Sequence, residues 1–257
     1  MRTATAKSAV IDYSNAADGY VMVQFTAATT GSIKVQVADA ANTYTYPIKA
    51  QKWAVLPLTS GNGTYKVTVF LGISGDKYAT VLSESISVTL SGSTAPFIRP
   101  SLYVNYSEAP NTVSKAASLC SGKSKDLDKI KAVYDFVVTT LTYDYALAAS
   151  VQSGYIPDLD AVLAKKKGIC YDYAALMCGM LRSQGIPCKM VHGYANGGYH
   201  AWISVYTKES GWIDAYIQFD GKSWKRMDPT FASTGGVNDA TMKIINNDAA
   251  YTAKYVY

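Results

Sequence analysis

A thiol, an imidazole and a carboxylate that converge can break or transfer an acyl group, and this 257-residue sequence holds one arrangement of the three with suitable order and setting. The thiol is Cys170, within residues 165–182, K-K-K-G-I-C-Y-D-Y-A-A-L-M-C-G-M-L-R. A polar loop ends at Gly168, and Cys170 then opens a run that is apolar on nearly every side. Such a run reads as a helix buried inside the protein. Gly185 stops it and Pro187 bars its continuation. Unpaired backbone N–H groups and the helix dipole favour a thiolate at that helix start, the setting of a nucleophile. Gly168 lets the backbone pass close to whatever approaches.

A nucleophilic thiol needs an imidazole to take and return a proton, and a third group to hold that imidazole. The sequence has two histidines, His192 and His200, both after Cys170. His200 follows a Gly-Gly turn in Y-H-A-W-I-S-V, at a strand entrance from which it could reach a cleft. His192 is mid-strand in K-M-V-H-G-Y and reads as structural. Asp228, in W-K-R-M-D-P-T, ends a strand and is the candidate third member; Asp214 and Asp220 are its rivals. Tyr171, Asp172 and Tyr173 read equally as cleft wall or as packing and capping residues.

These residues require particular elements to position them. Residues 20–26, 33–38, 43–48, 53–58, 64–71 and 78–90 are short β-type runs separated by turn signals, with Pro47 marking an edge or a strand end. Strands at this spacing without intervening helices indicate an antiparallel sandwich over residues 1–92. That half has no cysteine and no histidine. Residues 93–110, opening with S-T-A-P, read as an extended linker. From residue 111 the pattern turns helical. Asn111 is the expected cap of a short helix over 112–120. Ser124 or Asp126 is the expected cap of a longer one, with apolar residues at helical spacing from Leu127 to Leu141. Residues 158–163 form a further helical turn before the lysine run. After the buried helix the period becomes two, giving strands over 188–194, 199–206, 212–219 and 223–228, with Asn196-Gly197-Gly198 and Asp220-Gly221 as turns. A short helix and a final extended piece are expected over 238–257.

Together G-I-C-Y-D-Y-A, Y-H-A-W-I and W-K-R-M-D-P-T, with the preceding L-T-Y-D, resemble the transglutaminase-like superfamily, whose core is related to papain-type cysteine proteases. The resemblance covers roughly residues 110–235, and its blocks arrive in the family order Cys, His, Asp. It implies an α+β fold, with a papain-like transglutaminase core (a buried helix on an antiparallel sheet) in residues 111–257 behind the all-β sandwich. It also implies Cys170 as nucleophile, His200 as general base and acid, and Asp228 as the residue orienting it. The expected activity is thiol-dependent acyl chemistry on peptide or carboxamide bonds, as a cysteine protease or amidase. A protein-crosslinking transglutaminase is the alternative, and a non-catalytic cell-surface binding module is the alternative from another class.

Composition narrows the remaining classes. Hydrophobic residues make up 49% of the chain and charged ones 17%, so sizeable cores are expected rather than disorder. The net charge of +5 is spread out. No basic stripe interleaves with aromatics, so nucleic acid is not an expected partner. A protein or peptide substrate is expected, with retention on an anionic cell wall compatible with the charge. No run is long enough for a transmembrane segment. The use of 21 Tyr against 6 Phe suits β-structure with a wet face. Met1-Arg2-Thr3-Ala4 lacks an apolar signal core. We expect a secreted or cell-surface bacterial protein with its export signal outside this sequence. No Cys-x-x-Cys or His-x-x-x-His spacing supports a metal or redox site, and no cofactor is expected. With Cys170 free, at most one disulfide can form among Cys120, Cys178 and Cys188. Cys170 and Cys178 lie eight residues apart on one helix, about 12 Å, too far for a bridge.

Overall fold

The computed structural model describes residues 2–195, 197–214, 216–219, 224–226, 230 and 251–257. The chain divides into two compact units, Met1–Leu102 and Tyr103–Tyr257.

The first unit is built from β1 (Thr3–Ala6), β2 (Ala9–Asp12), β3 (Tyr20–Phe25), β4 (Ile33–Ala38), β5 (Thr43–Ile48), β6 (Trp53–Pro57), β7 (Gly63–Ser74) and β8 (Lys77–Val88). They form two four-stranded antiparallel sheets, ordered β1-β2-β3-β6 and β5-β4-β7-β8. On the central strands β3 and β4 strict alternation leaves one buried face: Val21, Val23 and Phe25 on β3, and Ile33, Val35 and Val37 on β4. Pro47 sits on β5, an edge strand, where its missing N–H removes no ladder bond to an outer neighbour. The β1–β2 hairpin was not legible strand by strand, because T-A-T-A offers no large apolar residue to set a period.

Residues 93–110 are not an extended connection. They contain two 3₁₀ turns, Ala95–Phe97 and Tyr106–Glu108. The first is tied down by the buried Phe97. Close by, the Leu102 N–H donates to the Val55 carbonyl at 2.8 Å.

The second unit begins with helices α1 (Pro110–Cys120) and α2 (Asp126–Thr140). Neither expected cap is used. Ala109 precedes α1 without a side-chain cap, and Asn111 lies inside the helix. A carboxylate from a later helix does the capping: Asp160 accepts from the backbone N–H groups of Asn111 and Thr112 at 3.1 and 2.7 Å and from the Thr112 hydroxyl at 2.7 Å. Burial pushes the Asp160 carboxyl up, but these bonds outweigh it and hold the group below its ordinary value. Lys125, not Ser124 or Asp126, is the residue before α2, while Asp126 and Asp128 sit in its first turn, where they complement the dipole.

There follow β9 (Thr142–Tyr143), α3 (Tyr145–Ser150), α4 (Leu159–Lys165), β10 (Lys167–Gly168) and α5 (Cys170–Ser183). The last strands are β11 (Cys188–Ala195), β12 (Gly198–Thr207), β13 (Gly211–Asp214), β14 (Tyr216–Phe219), β15 (Trp224–Arg226) and β16 (Tyr251–Val256). The expected strand over 212–219 is two strands in different sheets. One antiparallel sheet runs β13-β12-β11-β16, and β14 pairs with β15 separately. Helix α5 is buried from Asp172 to Arg182 and packs on β11 and β12. The unit is therefore a mixed α+β fold in which a helical layer covers an antiparallel sheet.

Candidate active site

Cys170 is the first residue of α5, and it is half-buried, whereas Cys120, Cys178 and Cys188 are buried. The helix start is braced from inside. The Ile169 N–H donates to Asp172 Oδ2 at 2.8 Å, and the Tyr155 hydroxyl donates to Asp172 Oδ1 at 2.8 Å. Asp172 thus takes the role that the third helical residue plays in a capping box. It is fully buried, and burial pushes its carboxyl above the ordinary value despite both bonds. Of the two roles open to Asp172, the structure gives it capping. It also explains Gly168: a Cβ there would lie 2.6 Å from the Cβ of Asp172 and 2.9 Å from its Oδ2. The close approach belongs to the cap rather than to an incoming ligand.

A second brace comes from the L-T-Y-D segment. Strands β9 and β10 form a short parallel pair that sets Thr142 beside Lys167 and Tyr143 beside Gly168. The Asp144 N–H donates to the Gly168 carbonyl at 2.9 Å. Asp144 caps α3 through the Leu147 N–H at 3.0 Å and pairs with the Lys167 ammonium at 3.2 Å. This ladder delivers Tyr143 to the mouth of α5. Burial pushes the Tyr143 phenol up, the nearby Cys170 sulfur adds to that, and the backbone N–H of Cys170 opposes it. The Tyr145 ring lies 5.0 Å from that of Tyr143 and is 71% exposed. Sequence spacing could not supply this, because a two-residue strand has no period.

The imidazoles come from adjacent strands. The β11–β12 register sets Gly193 opposite His200, His192 opposite Ala201 and Val191 opposite Trp202. Alternation then sorts the side chains by face. Cys188, Met190 and His192 share one face with Tyr199, Ala201 and Ile203. This face meets α5: the Cys188 sulfur lies 3.0 Å from that of Cys178, and the His192 ring meets Tyr171 edge-on at 4.5 Å. His200 shares the other face with Val191 and Trp202, and its ring is stacked near the indole at 6.3 Å and 22°. Gly193 is small because a Cβ there would run into the Thr252 backbone carbonyl on β16 and would also meet the Trp202 ring at 2.8 Å.

His192 is therefore closer to the helix start than its mid-strand position suggested. Its ring also meets Tyr257 at 5.1 Å and Tyr199 at 6.2 Å. Nε2 is buried with no hydrogen-bond partner among the described residues. Burial and the neighbouring His200 lower its pKa to about 4, so the ring is neutral over the physiological range. Tyr199, one residue before His200, lies near enough to Cys170 for the sulfur to raise its phenol, after burial, Tyr255 and Tyr194. The entrance of β12 is thus close to the thiol. Asp228 and Asp220 lie outside the described residues, and Asp214 closes β13 opposite Ser204. Among the described residues no group of three or more His, Cys, Asp or Glu could hold a metal.

Residues 113–229 match the family model of the transglutaminase-like superfamily, so this part of the chain is similar to that family's core. The chain is 28% identical over 122 residues to the uncharacterized protein YebA of Bacillus subtilis, a match covering 38% of this chain and 16% of that protein. Among solved structures it is similar to a candidate cysteine protease from Cytophaga hutchinsonii, with a TM-score of 0.42, 16% identity and coverage of 90% of this chain and 69% of the other. It is also similar to the transglutaminase of red sea bream, with a TM-score of 0.34, 14% identity and coverage of 88% and 53%.

Proposed function

We propose that this transglutaminase-like core is a secreted thiol hydrolase acting on peptide or carboxamide bonds, with Cys170 as nucleophile, His200 as general base and acid, and Asp228 as the residue that orients His200. The observation that carries the reading is the setting of Cys170. It alone of four cysteines is not buried, and it stands at the start of a helix whose first turn is fixed by the Asp172 cap. A thiol that were only a small core residue would not need that presentation.

In the proposed reaction the Cys170 sulfur attacks the carbonyl carbon and the carbonyl oxygen becomes an oxyanion beside the helix-start N–H groups. The imidazolium of His200 gives its proton to the departing amine, leaving a thioester. Water then attacks, His200 takes its proton, and the acid leaves as the thiol is restored. An amine in place of water would make the protein a crosslinker. Hydrolysis is favoured because water is abundant and Cys170 is only half-buried. By register His192 shares the face that meets α5, whereas His200 lies on the other face, next to Tyr199 at the entrance of β12. His200 would therefore have to reach the thiol around that strand end, and His192 is the second candidate for the base. An imidazole held near pKa 4 is poorly matched to proton transfer at neutral pH, which favours His200. The two sheets of the first unit, read as a sandwich, would help to place the protein on its substrate at the cell surface.

The test is incubation with a peptide library, with and without an added primary amine, read by mass spectrometry. Cleavage or deamidation is expected, abolished by Cys170→Ala. Amine incorporation in preference to water would reassign the protein as a crosslinker, and no mass change under any condition would support a binding module.

A further inference from the structure

We propose that Cys178 and Cys188 are an oxidation site: they form an intrachain disulfide that bolts α5 to β11. Their sulfurs lie 3.0 Å apart across the helix–sheet interface, and both residues are fully buried. A disulfide bond is about 2.05 Å long, so closing it needs roughly 1 Å of approach, within reach of side-chain rotation. Neither sulfur has a better use: the described residues offer no cluster that would make the pair a metal site. Cys120 lies on α1, and Cys170 is two turns away along α5.

The position gives the bond a consequence. Cys178 is on the helix that begins with Cys170. Cys188 opens β11, which carries His192 and is paired along its length with β12, which carries His200. A covalent link here fixes the helix bearing the thiol against the strand pair bearing both imidazoles. Small-molecule disulfide supplies the oxidising equivalents. One protein thiolate attacks oxidised glutathione, forming a mixed disulfide and releasing one glutathione thiolate. The second protein thiolate then attacks the mixed disulfide at the protein sulfur and releases another. Two protein thiols and one small disulfide thus become one protein disulfide and two glutathione thiols, which carry off the two protons. Burial and the neighbouring Cys178 raise the Cys188 thiol well above its ordinary value once the core is closed. Exchange therefore belongs to folding, before the interface is sealed.

The experiment uses the full chain with Cys170→Ala, so that neither exchange through Cys170 nor the proposed activity affects the result. The protein is refolded in a mixture of reduced and oxidised glutathione. Intact mass is expected to be lower by about 2 Da, the two thiol hydrogens, and unreduced peptide mapping should join the peptides of Cys178 and Cys188. For a loop of this length, reduction should lower the melting temperature by roughly 6–11 °C. Replacing Cys188 by Ala as well should remove both the mass difference and the effect of reductant. Folded protein with three alkylatable thiols under these conditions, or a bond from either residue to Cys120, overturns the proposal.

Discussion

The first unit buries Thr68 and Ser101 among otherwise apolar residues, while the second buries Asp172, Arg182, His192 and His200. The sheets of the first unit are held by alternation, and little is lost if one polar contact goes. The second unit has taken a full guanidinium, a carboxylate and two imidazoles out of water, which costs several kcal/mol per group unless each is bonded or neutral. Asp172 is bonded by the Ile169 N–H and the Tyr155 hydroxyl. Arg182 donates Nε to the Cys188 carbonyl at 2.8 Å and Nη2 to the backbone oxygen of Tyr257 at 2.9 Å. His192 is kept neutral. Such groups concentrate where a chain must position chemistry rather than merely close a core.

The largest expected break of this contrast is Arg182→Ala. It removes the charge-assisted bonds to the Cys188 and Tyr257 backbone oxygens and leaves a cavity, so it should destabilise the second unit by about 3–5 kcal/mol in denaturant unfolding. A loss below about 1 kcal/mol would mean that the buried network carries little of that unit's stability.

Next comes pH. The folded His192 pKa is lowered to about 4, below the ordinary 6.5, so the unfolded state binds more protons between these values. Stability from this group is complete above pH 6.5 and is lost as pH falls toward 4, by at most about 3 kcal/mol. Asp172, with its carboxyl raised by burial, acts in the opposite sense above its ordinary value of 3.8 and trims the acid loss. Unfolding measured from pH 7.5 to 4.5 should show the slope, and His192→Gln should flatten it. An unchanged slope in the variant would place the titration elsewhere.

Gly168→Ala is a smaller and more local probe. The new methyl must displace Asp172, so a cost of about 1–3 kcal/mol is expected, together with slower alkylation of Cys170. Smallest of all is Thr68→Val in the first unit, which breaks only the 3.0 Å contact with the Ser83 hydroxyl. About 0.5–1 kcal/mol is expected, and a loss as large as that for Arg182 would erase the contrast between the units.

What the sequence made legible follows from periodicity. Strands β4 and β5 and helix α5 match their apolar patterns, because alternation and the all-apolar run are direct imprints of burial. Distant partners left no such imprint. Nothing near Asn111 says that Asp160 will cap α1, and nothing in L-T-Y-D says that two residues will pair with Lys167–Gly168. The closeness of Cys178 to Cys188 depends on how β11 seats on the helix, and spacing alone does not contain that. Cys170 could be found from its helix start. His192 could not be assigned to the α5 face without the register of β11 on β12. Asp228 rests on the W-K-R-M-D-P-T motif alone.

The measurement that bears most directly on the central claim is the rate of Cys170 alkylation by iodoacetamide, followed from pH 5 to 9 by peptide mass spectrometry. The parent, His200→Ala and His192→Ala should each be compared. The account predicts brisk labelling of the parent at pH 6, at least about 10-fold slower labelling after His200→Ala, and a lesser change after His192→Ala. Equal rates in the parent and His200→Ala would contradict it, and a loss confined to His192→Ala would move the base to the other histidine.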